Sequence, residues 1–204
     1  MKITKKNKKA IIVQCIEEFE QKTQIELKLI IERQARGYWD HILAYCLLGN
    51  FLLLAIAHFS QVEENFVLIY FELIFLNLVL VIFLHLLMGV QFLIGRNKKN
   101  SNVEERALFH FSQQKMYMTE LRSGMLMYYS RLEKRGIILT DVGVLKKISA
   151  AELLNFESEF NQAMNKKDFA NELGAFIRGF GVFCHQKWPD ETFKNELSND
   201  VLGF

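Results

Sequence analysis

Two apolar runs, ILAYCLLGNFLLLAIAHF at residues 42–59 and FVLIYFELIFLNLVLVIFLHLLMGVQFLI at residues 66–94, decide how this chain is organised. Each run is about as long as the roughly 20 helical residues that cross the hydrocarbon core of a bilayer. The polar stretch between them, residues 60–65, is too short to fold by itself. The pattern predicts a transmembrane helical hairpin, with residues 1–41 and 95–204 on the same side of the membrane.

The charged residues around this hairpin predict its orientation. Lysines crowd the amino terminus, Arg33 and Arg36 precede the first run, and Arg96 follows the second, whereas the turn carries only Glu63 and Glu64. Lys and Arg stay on the cytoplasmic side of short segments. We therefore expect a multi-pass protein of the bacterial cytoplasmic (inner) membrane with both termini in the cytoplasm.

The amino-acid composition limits the kinds of partner that this chain is expected to bind. The formal net charge of +2 is small, and no basic stripe with interleaved aromatic residues occurs, so nucleic acid is not an expected partner. The lipid bilayer and an integral membrane protein are the expected ones. Cys15, Cys46 and Cys184 have no short spacing, which indicates packing residues and not a disulfide framework or a zinc site.

The sequences flanking the hairpin are typical of two parts of one α/β domain. Residues 8–22 have helical spacing, and residues 25–31 alternate as a strand does. Behind the hairpin the pattern predicts a helix, two strands and two helices, at residues 102–121, 125–130, 136–140, 149–164 and 168–188. A lone strand on so small a fragment needs a partner, so residues 25–31 are expected to pair with the later strands. The predicted fold class is α/β, a mixed sheet flanked by helices and interrupted by the hairpin.

Short polar signals mark individual positions in these elements. Asn102 with Glu105 resembles a capping box, and Ser149 with Glu152 matches one. Within the apolar runs, Asn50 and Asn77 are expected either to pair across the hairpin or to contact a partner.

Several stretches, taken in order along the chain, resemble the TPM-domain family, whose members are also labelled TPM phosphatases. They are Glu20 with residues 23–27, then residues 122–126, 133–135 and 137–143, and finally Trp188-Pro189 with residues 195–197. The chain departs from the family pattern at residues 24–25 and 198–199. The resemblance implies a TPM-like domain in two parts, residues 1–41 and 95–204, with the hairpin at residues 42–94 between them.

The resemblance also implies a function, a membrane-anchored binding or accessory module for a membrane protein complex. Two alternatives are a metal-dependent phosphoester hydrolase and a calcium-binding module without catalysis. The sequence contains neither a Gly-x-Ser-x-Gly motif nor a phosphate-binding P-loop. Whether the chain is an enzyme therefore stays open.

Asp141 and Glu26 are the candidate metal ligands. Asp141 follows an apolar strand, close to Gly143, and strand ends in open sheets are where ligands gather; alternatively it caps a turn. Glu26 alternatively occupies the solvent face of an alternating strand. Two carboxylates suit a hard divalent cation, calcium or magnesium, which is the expected cofactor. Arg122 is expected either to clamp an anion or to stabilise the end of a helix.

Overall fold

The computed structural model describes residues 5–59, 66–86, 95–188 and 201–203. Its elements, in chain order, are α1 (Lys5–Glu20), β1 (Glu26–Glu32), α2 (Trp39–Phe59), α3 (Phe66–Leu86), α4 (Arg96–Gln113), a 3-10 turn (Met116–Met118), β2 (Gly124–Ser130), β3 (Arg135–Thr140), α5 (Val142–Leu145), α6 (Ala150–Met164) and α7 (Phe169–Lys187). The chain divides into two compact units. The first is Met1–Ala35 together with Lys99–Phe204, and the second is Arg36–Lys98.

A three-stranded sheet of order β1-β2-β3 lies at the centre of the first unit. β1 pairs in parallel with β2, from Glu26 opposite Gly124 to Glu32 opposite Ser130, and β2 pairs antiparallel with β3. The predicted pairing of the early strand with the later ones is therefore confirmed, and the sheet is mixed. A parallel pair needs a long crossover connection, which residues 33–123 supply.

Helices pack on both faces of this sheet because successive strand residues point to opposite sides. Leu27, Leu29 and Ile31 of β1 join α1, α6 and α7 in one apolar core. Ile30 points the other way, into a smaller core with α4 and with Tyr128 of β2. Every residue of β1 except its last is buried, as expected for a strand covered on both faces.

Within the described residues, side-chain contacts close one outer edge of the sheet and a single bridge lies on the other. At the β3 edge, Asn161 accepts a hydrogen bond from the backbone N–H of Gly136 (2.6 Å) and donates one to its carbonyl (2.8 Å). Glu157 accepts from the N–H of Ile138 at 3.3 Å. At the β1 edge, Leu202 forms a parallel bridge. These contacts satisfy edge groups that would otherwise invite pairing with another chain.

Of the two predicted helix starts, one is confirmed and the other is wrong. Ser149 forms the predicted capping box, since its Oγ accepts from the N–H of Glu152 at 3.3 Å and its own N–H donates to Glu152 Oε2 at 2.8 Å. The helix predicted from Asn102 to about Leu121 is wrong at both ends. α4 begins earlier and ends at Gln113, so Asn102 lies inside it and is buried.

Among the residues that the structure describes, no helix combines the length and the apolarity needed to cross a bilayer. The predicted transmembrane hairpin is therefore wrong, and so is the predicted multi-pass location in the inner membrane with cytoplasmic termini. The fold class is corrected to a mixed α/β fold with a three-stranded sheet, in which no described helix could cross a membrane. The part of the second run at residues 87–94 lies outside the described residues. Polar Asn50, Glu72 and Asn77 also fall inside the runs, and such residues are costly in lipid.

The second unit contains the helices α2 and α3, which a pair of amides joins. Nδ2 of Asn77 donates to Oδ1 of Asn50 and to the carbonyl of Leu73, each at 2.7 Å. The predicted pairing of the two asparagines is confirmed. The predicted acidic turn between the helices, residues 60–65, lies outside the described residues.

We expect the first unit to fold without the second. Replacing residues 36–98 with a short Gly/Ser linker should leave one cooperative thermal transition, followed by circular dichroism. Ala35 and Val103 of α4 belong to the same apolar core, so a flexible linker of about ten residues can join Ala35 to Lys99. Removing residues 1–35 from this linked variant should abolish the transition, since α1 and β1 supply much of the larger core. Equal melting with and without residues 1–35 would contradict the strand pairing.

Candidate functional site

The structure brings Glu26 and Asp141 to the same end of the sheet, where β1 begins and β3 ends. Glu26 begins β1 opposite Gly124, and the N–H of Asp141 donates to the Gly124 carbonyl at 2.9 Å. β2 lies between them, so two strand spacings of about 4.8 Å each separate their backbones by roughly 10 Å. Both residues are buried, at 3% and 5% exposure. Glu26 therefore does not occupy a solvent face.

Asp141 is already held by two partners. Its Oδ1 accepts from the N–H of Val142 at 2.7 Å, which caps the short helix α5, and from Arg122 Nη2 at 3.1 Å. Its Oδ2 lies 2.6 Å from Arg122 Nε, an ion pair without the alignment of a second hydrogen bond. The guanidinium side chain is 53% exposed. A cation at Asp141 would therefore compete with Arg122.

Close backbone contacts shape the corner around this ion pair. A Cβ on Gly143 would lie 2.3 Å from the carbonyl oxygen of Leu121, and a Cβ on Gly124 would lie 1.9 Å from that of Met116. Only glycine permits these approaches. The sequence suggested that Arg122 lies at the end of a helix, but the residue lies in a bend with φ of 54°. Left-handed conformations of residues other than glycine are uncommon and cluster where the surroundings enforce them.

A second polar cluster, which the sequence did not predict, lies at the carboxyl end of β1. Arg106 donates to both oxygens of Glu32, from Nε at 2.8 Å and from Nη2 at 2.7 Å. The Tyr128 hydroxyl donates to Oε2 at 2.9 Å, and His110 Nε2 lies 2.9 Å from Oε1. We call these four residues the Glu32 cluster. It ties α4 to both parallel strands.

The electrostatics of the Glu32 cluster keep the carboxyl charged. Burial raises the pKa of Glu32, but the hydrogen bonds from Arg106, Tyr128 and His110 outweigh it and lower the pKa to about 2. Burial, and then the hydrogen bond to Glu32, raises the pKa of the Tyr128 hydroxyl. At neutral pH the carboxylate is therefore an acceptor and the phenol a donor.

The signal that could have found this cluster was weak. Arg106 and His110 are one helical turn apart and share a face of α4. Their carboxylate partner, however, is 74 and 78 residues away in sequence. No local pattern links such distant positions. Within the described ranges, no group of three or more His, Cys, Asp or Glu residues could hold a metal ion.

Comparison with known proteins adds information on the fold. No protein-family model matches the chain, and no curated protein sequence matches it. The NMR structure of the BA42 protein from the psychrophilic bacterium Bizionia argentinensis is similar, with a TM-score of 0.60 and 16% sequence identity. The similarity covers 100% of this chain and 97% of that one. At this identity it shows a shared fold only, and the resemblance to the TPM-domain family stays a prediction.

We expect Glu32→Gln to destabilise the protein in a pH-dependent way. The pKa of Glu32 is lowered from 4.5 to about 2 in the folded chain. Its contribution is therefore complete above pH 4.5 and is lost as the pH falls through about 2. At neutral pH the variant should lose roughly 2–3 kcal/mol of unfolding free energy, measured by urea titration. The difference from the wild type should shrink as the pH falls from 4.5 toward 2.

Glu105→Gln is the matched control, because this carboxylate lies on the exposed side of the same helix. It should change the unfolding free energy by no more than about 0.5 kcal/mol. Glu152, whose pKa the Ser149 backbone N–H and then Lys187 lower to about 2, is present in both variants and cancels from the comparison. A Glu32→Gln difference that does not change with pH would contradict the assigned ion network.

Proposed function

We propose that the chain is a protein-binding accessory module, in which an α/β domain carries a helical hairpin that docks on a partner protein. The observation that supports this proposal is the exposure of large apolar side chains on α2 and α3. Phe51 is 72% exposed, Leu47 70%, and Phe71 and Phe75 67% each. Extended apolar patches on a protein surface mark interaction sites.

These side chains recur at helical spacing, so each helix presents a continuous apolar stripe. The stripes consist of Leu43, Leu47, Phe51 and Leu54 on α2 and of Phe71, Phe75, Leu78 and Ile82 on α3. An amphipathic or apolar helix that lies in a groove of its partner uses anchors with this spacing. The partner we propose is therefore a protein with an apolar groove, and burial of each Phe or Leu would contribute about 1.5–3 kcal/mol.

The resemblance to the TPM-domain family supports the same role, because that resemblance implies an accessory module for a protein complex. We retain the accessory role as a proposal and not the membrane attachment. The order of elements in the first unit, with an early strand completed by later ones, agrees with the split domain that the resemblance implies.

We expect the double variant Phe51→Gln/Phe75→Gln to be unable to form the complex with the partner protein. Cells of the source organism that express the tagged wild type should give a cross-linked species larger than the protomer on native gels. The variant should lose it, because two apolar anchors are replaced by polar side chains. The matched control is Leu108→Gln/Leu154→Gln, which alters two side chains of the first unit that are 57% and 65% exposed.

The control should keep the complex, and both variants should melt as the wild type does. Retention of the complex by Phe51→Gln/Phe75→Gln would contradict the proposal. If the purified chain alone forms the same large species, the apolar stripes mediate self-association and do not bind a different protein.

A second candidate function is binding of a divalent cation, calcium or magnesium, at the end of the sheet that holds Asp141 and Glu26. The supporting observation is that two buried carboxylates lie at the same end of the sheet, and that Arg122, whose side chain is exposed, pairs with one of them. The metal-dependent phosphoester hydrolase depends on the same cation. One measurement of cation binding therefore tests both functions.

If the cation binds, millimolar calcium or magnesium should raise the melting temperature of the wild type, because a ligand stabilises the state that binds it. Asp141→Asn should reduce this shift. Arg122→Gln should increase it, because the competing guanidinium is gone. Differential scanning fluorimetry of the three proteins, with and without the ions, measures these changes. Equal melting of the wild type with and without ions would remove both the cation site and the hydrolase.

A further inference from the structure

A pair of amide side chains lies within the apolar surface that α2 and α3 expose. Nδ2 of Asn77 donates to Oδ1 of Asn50 and to the carbonyl of Leu73, each at 2.7 Å. These two bonds use both N–H groups of the Asn77 amide. Within the described residues, neither Nδ2 of Asn50 nor Oδ1 of Asn77 has a hydrogen-bond partner. The pair therefore keeps one donor group and one acceptor for a binding partner.

Exposed apolar side chains border this amide pair on both helices. Leu47 and Leu54 lie one helical turn before and after Asn50, on the same side of α2, and they are 70% and 42% exposed. Ile74 precedes Asn77 by one turn of α3 and is 65% exposed. Both asparagines are half-buried. A partner that covers these apolar side chains therefore also removes water from the two remaining amide groups.

A polar group that loses water without gaining a hydrogen bond weakens binding. Docking on the apolar stripes therefore favours a partner that offers an acceptor to Nδ2 of Asn50 and a donor to Oδ1 of Asn77. One neutral side chain that carries both functions on two separate atoms is a carboxamide, that of Asn or Gln. A hydroxyl presents both functions on a single atom.

A charged side chain of the partner fits this place less well. A carboxylate offers acceptors only, and the side chains of Lys and Arg offer donors only. Residues 43–54 and 71–83 contain one charged residue, Glu72, so the surface has few counter-ions for a buried charge. A charge that is buried without a counter-ion is costly. The hydrogen-bonding groups and the near absence of charge both favour a neutral carboxamide.

We propose that the partner protein presents an Asn or Gln carboxamide, on the wall of its apolar groove, to Asn50 and Asn77, and that this pairing selects the partner. The inference rests on the proposed docking function of α2 and α3 and adds the chemistry of the partner to it. The apolar stripes supply most of the affinity. The amide pair discriminates against a groove that is apolar at this place, because such a groove leaves two polar groups buried and unpaired. A single Asn in an apolar helix contact fixes register and partner in the same way.

The test uses the full chain and two synthetic helical peptides, each of which represents one wall of the groove. Both peptides are monomeric and carry leucine at the apolar positions of three heptads. The first has Asn at the central apolar position, and the second has Leu there. Fluorescence anisotropy of the labelled peptides measures the Kd of each for the wild type, for Asn50→Leu/Asn77→Leu and for Glu72→Ala. Glu72→Ala is the matched control, because it changes an exposed polar side chain of α3 outside the amide pair.

The wild type should bind the Asn peptide roughly tenfold or more tightly than the Leu peptide. Asn50→Leu/Asn77→Leu should reverse this preference, because the peptide amide is then the unpaired group. Glu72→Ala should keep the preference of the wild type. Where the double variant does not melt cooperatively, Asn50→Ala takes its place and should reduce the preference to roughly threefold or less, since it removes one side of the pair.

Three results would overturn the proposal. The first is equal affinity of the wild type for the two peptides, or binding of neither. The second is a preference that the asparagine variants leave unchanged, which would mean that the amide pair only joins α2 to α3. The third is a concentration-dependent dimer of the wild type that Asn50→Leu/Asn77→Leu loses, which would assign the remaining amide groups to a second copy of the chain.

The docking function and the carboxamide pairing can fail separately. If Phe51→Gln/Phe75→Gln loses the complex in cells while the wild type binds both peptides equally, the docking function is retained and the carboxamide pairing is wrong. If Phe51→Gln/Phe75→Gln keeps the complex, the docking function itself is wrong.

Discussion

The parallel pairing of β1 with β2 is the constraint from which the other features of the first unit follow. The two strands are separated by residues 33–123, yet their seven-residue register runs without a break from Glu26 opposite Gly124 to Glu32 opposite Ser130. β1 is buried on both faces, so it supplies side chains to both apolar cores. Without this pairing, α1 has no sheet on which to pack, and Glu26 and Asp141 do not come to the same end of a sheet.

The same pairing explains why a charge network is tolerated at the end of β1. The carboxylate of Glu32 is only 21% exposed, and an isolated charge at such a position is costly. Hydrogen bonds from Arg106, Tyr128 and His110 offset that cost and hold the pKa of Glu32 at about 2. The donors come from α4 and β2, which meet β1 only in the folded state. The network therefore stabilises the long-range topology and not any one local element.

The sequence predicts what short-range physics determines. The alternation of residues 25–31 identifies β1, and the Ser149 capping box identifies the start of α6, because both signals come from neighbouring residues. The Asn102 signal fails because α4 begins at Arg96, and a polar residue followed by Glu is also common within helices.

Features that depend on residues far apart in sequence, or on the properties of a whole apolar run, were not predictable in the same way. The partners of Glu32 lie 74 to 96 residues away, so no window contains both sides of the cluster. The transmembrane prediction rested on the length and apolar character of the two runs, whereas no helix in the described part of the chain is long and apolar enough to cross a membrane. For the candidate metal residues, the sequence correctly predicted that Asp141 lies just past the end of a strand. It did not predict that Arg122 already pairs with its carboxylate.

The two outer edges of the sheet differ in what must move for each to open. The β3 edge is closed by Asn161 and Glu157, which belong to α6, a helix that also contributes Phe160 to the larger core. Opening that edge requires the helix to leave the sheet. The β1 edge is closed at Ile31 by Leu202, whose release costs two backbone hydrogen bonds and one buried side chain. Local opening follows the least stable contacts, so of the two edges we expect the one at β1 to open first.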